Sequence, residues 1–182
     1  MTMQHVVLTY KEYEALPTDG RRYEIHEGEL SVTPAPSPQH QLIIRNLFRL
    51  LDSHVQSKRI GEVLFAPLDV ILSDTSIVQP DIVFLDTTRL SAISRRGVEG
   101  PPTLAIEVLS PATTLTDRST KHQLYARHGV PYFWLVDPEG RSVEAFVLGP
   151  QGYSLALRSS GSEPVSPPPF PDLNLIPATL WP

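Results

Sequence analysis

The stretch that decides the fold is LAIEVLSPATTLTDRSTKHQLYARHGVPYFWLV, residues Leu104–Val136. In its first run Leu104, Ile106 and Val108 face one way, while Thr103, Ala105, Glu107 and Leu109 face the other. Both faces are mostly apolar, which predicts a central strand. A helix from about Leu115 to His128 follows, with Gly129 as a good C-cap residue, and VPYFWLVD is a second buried strand. A strand–helix–strand unit of this kind predicts two parallel strands joined by a right-handed crossover. Two charges interrupt the apolar pattern, Glu107 in the strand and Lys121 in the helix.

Upstream, LTYKEYEALP reads as a short helix with Thr9 as N-cap and Pro17 as its stop. RRYEIHEGELSVTP alternates around Glu27-Gly28 and predicts a hairpin. SPQHQLIIRNLFRLLDSHVQSK is the clearest helix, capped by Ser37, with Leu42, Ile43, Leu47, Leu50 and Leu51 at helical spacing. GEVLFAPLDVILSD and VQPDIVFLD look like successive strands of a meander, and RSVEAFVLGPQGYSLALR is a hairpin turning at Pro150–Gly152. The 19 prolines are densest in EPVSPPPFPDLNLIP. This irregular tail, from about residue 159, should dock through Phe170, Leu173, Leu175, Ile176 and Trp181. The order predicts one α/β (α+β) domain over residues 1–182, with helices flanking a curved mixed sheet.

Composition narrows the function classes. With 182 residues, 41% hydrophobic and 19% charged, the chain can build a real core. It has no cysteine, which excludes disulfides, zinc knuckles and thiol nucleophiles and leaves carboxylates, histidines and carbonyls as metal ligands. Its net charge of −5 is not that of a dedicated nucleic-acid binder, so any such affinity must come from a local patch or a metal. The N-terminus lacks the pattern of a signal peptide, and no apolar run approaches the roughly 18 residues of a membrane span. A cytoplasmic, soluble protein with no membrane partner is expected.

The chemistry gathers around the two interrupting charges. Positions three, four and seven from Lys121 are Leu124, Tyr125 and His128, and Asp117 precedes it by four, so Lys121 points along the stripe that packs on the sheet. A carboxylate on a central strand is costly unless paired, metal-bound or protonated, so Glu107 needs Lys121 or a cation. Asp81, in QPDIVFL, should stand at a strand entrance, because Pro80 is disfavoured mid-sheet. If that strand lies beside Leu104–Leu109, Asp81 and Glu107 converge with Lys121 in a partly dry pocket. Two hard oxygen donors suit Mg²⁺ or Mn²⁺, with Lys121 orienting or helping to deprotonate a water.

QPD on one strand, IEVLSP on the next and D…K…YA…GVPYFWLVDP after it resemble the PD-(D/E)XK nuclease superfamily, and more narrowly the restriction-endonuclease-like family called Uma-two. YEIHEGEL, SPQHQ and YFWLVDPEGRSVEAF are similar to further parts of that family, so the resemblance covers most of the chain. It implies Asp81 as the first acid and Glu107 as the second. The superfamily's lysine lies two residues after the second acid, where this chain has Leu109, so Lys121 would replace it from the helix. The resemblance also implies roles for Glu29 and His40, a metal-dependent cut of DNA and a homodimer; the Val108 carbonyl is expected as a third metal ligand.

Other readings stay open. Asp69, in APLDVIL, is a possible additional ligand or a polar-face acid, Asp117 a first-turn residue and Tyr125 a core residue. Arg89, Arg95 and Arg96 could grip phosphates or form a solvated loop. The alternatives to a nuclease are a metal-dependent phosphoesterase on another substrate, and a non-catalytic binding or assembly domain in which Glu107–Lys121 is an internal ion pair.

Overall fold

Alternation and helical spacing resolve into a mixed α+β structure in the computed structural model, which describes residues 6–182. The larger sheet runs, edge to edge, through β11 (Gly152–Ser160), β10 (Ser142–Gly149), β9 (Tyr132–Asp137), β8 (Leu104–Val108), β6 (Ile82–Asp86) and β3 (Gly61–Phe65). A smaller sheet has the order β2 (Glu29–Thr33), β1 (Arg22–His26), β5 (Ser76–Val78), β4 (Val70–Ser73) and β7 (Val98–Glu99). The strands are thus shared between two mixed sheets. The expected meander is not formed: β3 pairs with β6, while β4 and β5 leave to build the second sheet. The apolar pattern of β3–β6 fits either pairing, so local sequence cannot choose between them.

The parallel strand pair expected within Leu104–Val136 is formed. β8 pairs parallel with β9, Ile106 against Trp134 and Glu107 against Leu135, and antiparallel with β6, Ile82 against Ile106. All five residues of β8 are buried, as a strand covered on both faces must be. One face, with Ile82, Phe84, Leu104, Ile106, Trp134 and Val136, packs under helix α2 (Pro38–Lys58) through Ile43, Leu47, Leu51 and Val55. The opposite face, with Val83, Ala105, Phe133 and Leu135, packs on helix α3 (His122–Arg127) and on Val70, Val78 and Val98 of the smaller sheet.

Local signals end these elements as expected. The Ser37 hydroxyl accepts from His40 N–H at 3.2 Å at the start of α2, with Pro38 in its first turn. Helix α1 (Tyr10–Glu14) begins after Thr9, whose N–H is held by Glu12 at 2.9 Å, and closes before Pro17. Glu27 (φ +53°) and Gly28 (φ +89°) form the two-residue turn of the β1–β2 hairpin. The helix before β9 departs from the 3.6-residue period: Thr116–Lys121 is a π-helix that becomes α-helical only at His122. Gly129, at φ +74°, then takes the left-handed position after α3.

Beyond β11 the tail lies in the core. Phe170, Leu173, Leu175 and Leu180 are buried, Val165 and Leu175 exchange backbone hydrogen bonds, and Trp181 packs against the same cluster while Ile176 is half-buried. Phe170 meets the rings of Phe84, His54 and Trp134 at centroid distances of 4.9, 5.5 and 6.0 Å. Phe170→Ala should therefore cost about 3–5 kcal/mol in urea unfolding, the penalty of a core cavity. A loss within about 0.5 kcal/mol, typical of surface positions, would mean the tail is not part of the core.

Candidate active site

The cost of burying Lys121 is met from three elements. Its Nζ lies 2.9 Å from Glu24 Oε1 on β1, 3.0 Å from Glu107 Oε1 on β8 and 3.6 Å from Asp117 Oδ1 in the π-helix. All four side chains are at most 3% exposed. Tyr125, one turn along α3, donates its hydroxyl to Glu107 Oε1 at 2.6 Å. The Gln79 N–H donates to Glu24 Oε1 at 2.6 Å, tying this cluster to the segment that leads into β6.

Asp81 stands at the entrance of β6, where the antiparallel register brings it level with Glu107. Its Oδ2 accepts the Val108 N–H at 2.8 Å and lies 3.3 Å from His40 Nε2, and its Oδ1 accepts from Arg22 at 3.0 Å. His40 Nε2 is also 2.8 Å from the Val108 carbonyl oxygen, so α2 is pinned to the end of β8. The capping of α2 by Ser37 sets this geometry, because it fixes the first turn from which His40 projects. Asp81, Arg22 and His40 line a cleft of about 960 Å³; Glu107 and Lys121 do not line it.

Acids outnumber permanent cations in the site. Glu24, Asp81, Glu107 and Asp117 are buried around Arg22 and Lys121, and the crowding decides which of them hold protons. Burial, with Asp117 and Asp81 close by, pushes the Glu107 carboxyl up to about 8 despite the pull of Lys121. Burial likewise raises Asp117. For Glu24 burial is outweighed by Lys121, His26 and Arg22, which hold it well below the carboxylate range. For Asp81 burial is outweighed by His40, Arg22 and the Val108 N–H, which hold it ionised. Burial opposes the charge on Lys121, but Glu107, Glu24 and Asp117 together raise it, so it remains an ammonium. Such a group can orient a water or hold a negative charge; it cannot accept a proton. Burial also opposes protonation of His40, yet Asp81 and the Val108 carbonyl raise it above the ordinary imidazole value.

Asp81, Glu107, Lys121, Val108 and His40 are thus brought together. Glu29 is not: it is exposed at the start of β2 and lines a second cleft with His26, Thr116, Thr120 and Arg127. The acid from this hairpin that reaches Lys121 is Glu24, which sequence reasoning missed because alternation made it look like the solvent face of a hairpin. Asp69 lines the main cleft, where it accepts the Tyr13 hydroxyl at 2.6 Å and the Gln79 amide at 2.8 Å. The loop arginines do not form one patch: Arg89 lies 3.7 Å from Asp86, and Arg96 pairs with Glu99 and sits 4.9 Å over the Tyr10 ring.

The residues suit a hard divalent cation in donor type and charge. Among the described residues no three His, Asp or Glu side chains are grouped to hold a metal alone. Mg²⁺ needs no such cage, since it commonly takes one or two carboxylates and completes its shell with water and substrate phosphate.

Two outcomes follow. Lys121→Met leaves three acids without their shared cation and should cost about 3–5 kcal/mol in urea unfolding; adding Glu107→Gln should recover part of that loss. A double variant no more stable than the single one would contradict the shared ion network. Because its folded pKa of about 8 exceeds the usual 4.5, Glu107 binds a proton in the folded chain that unfolding releases. Its contribution is complete at pH below about 4.5 and falls as pH rises through about 8. In EDTA, Glu107→Gln should lose less stability than the wild type across that window, as read by urea midpoints; parallel profiles would refute the raised pKa.

The fold has a counterpart of known structure, the crystal structure of "a putative nuclease belonging to DUF820 from Anabaena variabilis". The two are 24% identical, cover 95% of this chain and 97% of the other, and superpose with a TM-score of 0.77. No curated protein matches the sequence. The family model described as "Putative restriction endonuclease" matches residues 10–179. The chain belongs to this family, Uma2, and has its nuclease-like α+β fold.

Proposed function

We propose that this protein is a metal-dependent endonuclease that hydrolyses DNA phosphodiester bonds at the cluster of Asp81, Glu107 and Lys121. One observation carries the reading: the buried acids Asp81 and Glu107 meet at one strand end, with Lys121 on Glu107, beside a cleft of about 960 Å³ that Asp81 lines. Burial raises the Glu107 carboxyl, and a divalent cation beside it would favour its ionised form. Family membership supports DNA as the substrate. No helix among the described residues is long and apolar enough to cross a membrane, and we place the protein in the cytoplasm as a homodimer.

Asp81 and Glu107 would hold Mg²⁺ or Mn²⁺, with the Val108 carbonyl as a further oxygen at the same strand end. A bound ion supplies Lewis acidity at the phosphate and a water of lowered pKa. Lys121, held as an ammonium, keeps Glu107 in place from behind. Arg22, on the cleft wall, offers a planar donor to a phosphate oxygen. His40 fixes Asp81 against Val108.

A second reading has its own support. Arg22 and Lys121 already pair with Asp81 and Glu107, as in a non-catalytic domain that keeps the fold with an internal ion network. Metal and activity separate the two. Mg²⁺ or Mn²⁺ at about 100 times its dissociation constant should stabilise the nuclease by about 2.7 kcal/mol, seen as a rising melting temperature. Plasmid nicking with Mn²⁺ should fall by about 100-fold or more in Asp81→Asn and Lys121→Met, the scale of a lost catalytic group. Equal nicking by all forms would sink the assigned site. A metal-dependent melting shift without nicking points to a phosphoesterase on another substrate, and neither effect points to the non-catalytic domain.

A further inference from the structure

We propose that the cleft beside Asp81 accepts an unpaired nucleic-acid strand, with bases resting on tyrosine rings, so that the substrate is single-stranded or locally opened DNA. The inference rests on the nuclease reading and narrows it. The cleft joins Tyr10, Tyr13 and Tyr23 with Pro17, Pro34 and Pro36 on the route to Asp81. The tyrosines are half-exposed, so they are not core residues that happen to border a hollow.

Size comes first. About 960 Å³ is the volume of a ligand pocket, at the upper end of the usual ~300–1,000 Å³, and not of a duplex track. The Asp81 side chain is 3% exposed and that of Arg22 19%, so a phosphate must enter the cleft to reach them. A flexible single strand can bend a phosphate inward; a stacked duplex holds its backbone on a cylinder and would rest on the rim.

Charge leaves the preference to the bases. Arg21 and Arg22 face Glu14, Asp69 and Asp81 in the lining, and both arginines are engaged, Arg21 by Asp19 at 2.8 Å and Arg22 by Asp81 at 3.0 Å. This lining therefore supplies little phosphate neutralisation to either form of DNA, and contacts to bases must carry the preference. Single-strand binders add aromatic platforms, which tolerate any base because every base has a π face. Two of these rings are set in advance. The Tyr13 hydroxyl donates to Asp69 at 2.6 Å and accepts from Gln79 at 3.1 Å, and the Tyr23 hydroxyl donates to Asp19 at 2.8 Å. Tyr10 and Tyr13 lie 6.1 Å apart and 33° from parallel, with the Arg96 guanidinium over Tyr10. Rings held this way lose little freedom when a base lands on them.

The test uses the full chain and a fluorescein-labelled DNA oligonucleotide, single-stranded or annealed to its complement, with anisotropy read in EDTA so that cutting plays no part. The single strand should bind about tenfold more tightly than the duplex. Tyr10→Ala and Tyr23→Ala should each weaken single-strand binding about fivefold or more, while Tyr10→Phe and Tyr23→Phe keep it, since the ring and not the hydroxyl is used. Urea midpoints identify any variant that fails to fold, and the Phe variants then carry the comparison against the duplex. Equal affinity for the two forms, or unchanged binding by folded Ala variants, would overturn the inference. Cleavage with Mn²⁺ of intact duplex and of a bubble at the same rate would also overturn it, leaving the nuclease reading in place. Tyrosine-dependent single-strand binding with no cleavage would keep the binding site and remove the nuclease reading instead.

Discussion

The burial of one ammonium is the constraint around which this structure is arranged. A lysine so deeply enclosed persists only where carboxylates reach it, and here Glu24, Glu107 and Asp117 arrive from a strand of one sheet, a strand of the other and the helix between. Networks of this kind add little net stability over an apolar core, because desolvation consumes most of the attraction. What they provide is specification. A register slip in β1 or β8 would turn Glu24 or Glu107 to the opposite face and leave a charge alone in the interior.

The same constraint explains the local irregularity of the crossover. Lys121 must approach β8 while Leu124 and Tyr125 still pack on Phe133 and Ala105. The π-helix over Thr116–Lys121 places Asp117 and Lys121 on one inward face before the α-helical period resumes at His122. Such segments are uncommon and are frequent at functional sites.

Elements whose period and caps agree were legible from residues alone: the buried run of β8, the Ser37-capped helix α2, the Glu27-Gly28 hairpin and the apolar anchors of the tail. Glu107 and Lys121 were legible because each violates an apolar pattern, and Asp81 because Pro80 marks a strand entrance. Glu24 was not, since its alternation in RYEIH is that of a half-solvated hairpin, and the lysine that pairs it comes from the π-helix, distant in sequence. The division into two sheets was hidden for a related reason. Short apolar runs such as VILS and IVFLD carry no mark of which partner they choose, and that choice is made by contacts distant in sequence.

The site divides into a closed part and an open part, and the division bears on how chemistry could occur there. Lys121 and Glu107 are sealed, while Arg22 and Asp81 border the cleft. Asp81 belongs to both, since Val108 N–H joins it to the strand that carries Glu107. On the proposed nuclease reading a phosphate entering the cleft would meet Arg22 first, and drawing that arginine away from Asp81 would free a carboxylate oxygen on the cleft side. The raised Glu107 carboxyl works in the same sense: a proton held against excess negative charge is one that a stronger positive charge nearby would displace. Asp81 and Glu107 are thus coupled at one strand end, the first carboxylate open to the cleft and the second sealed behind it.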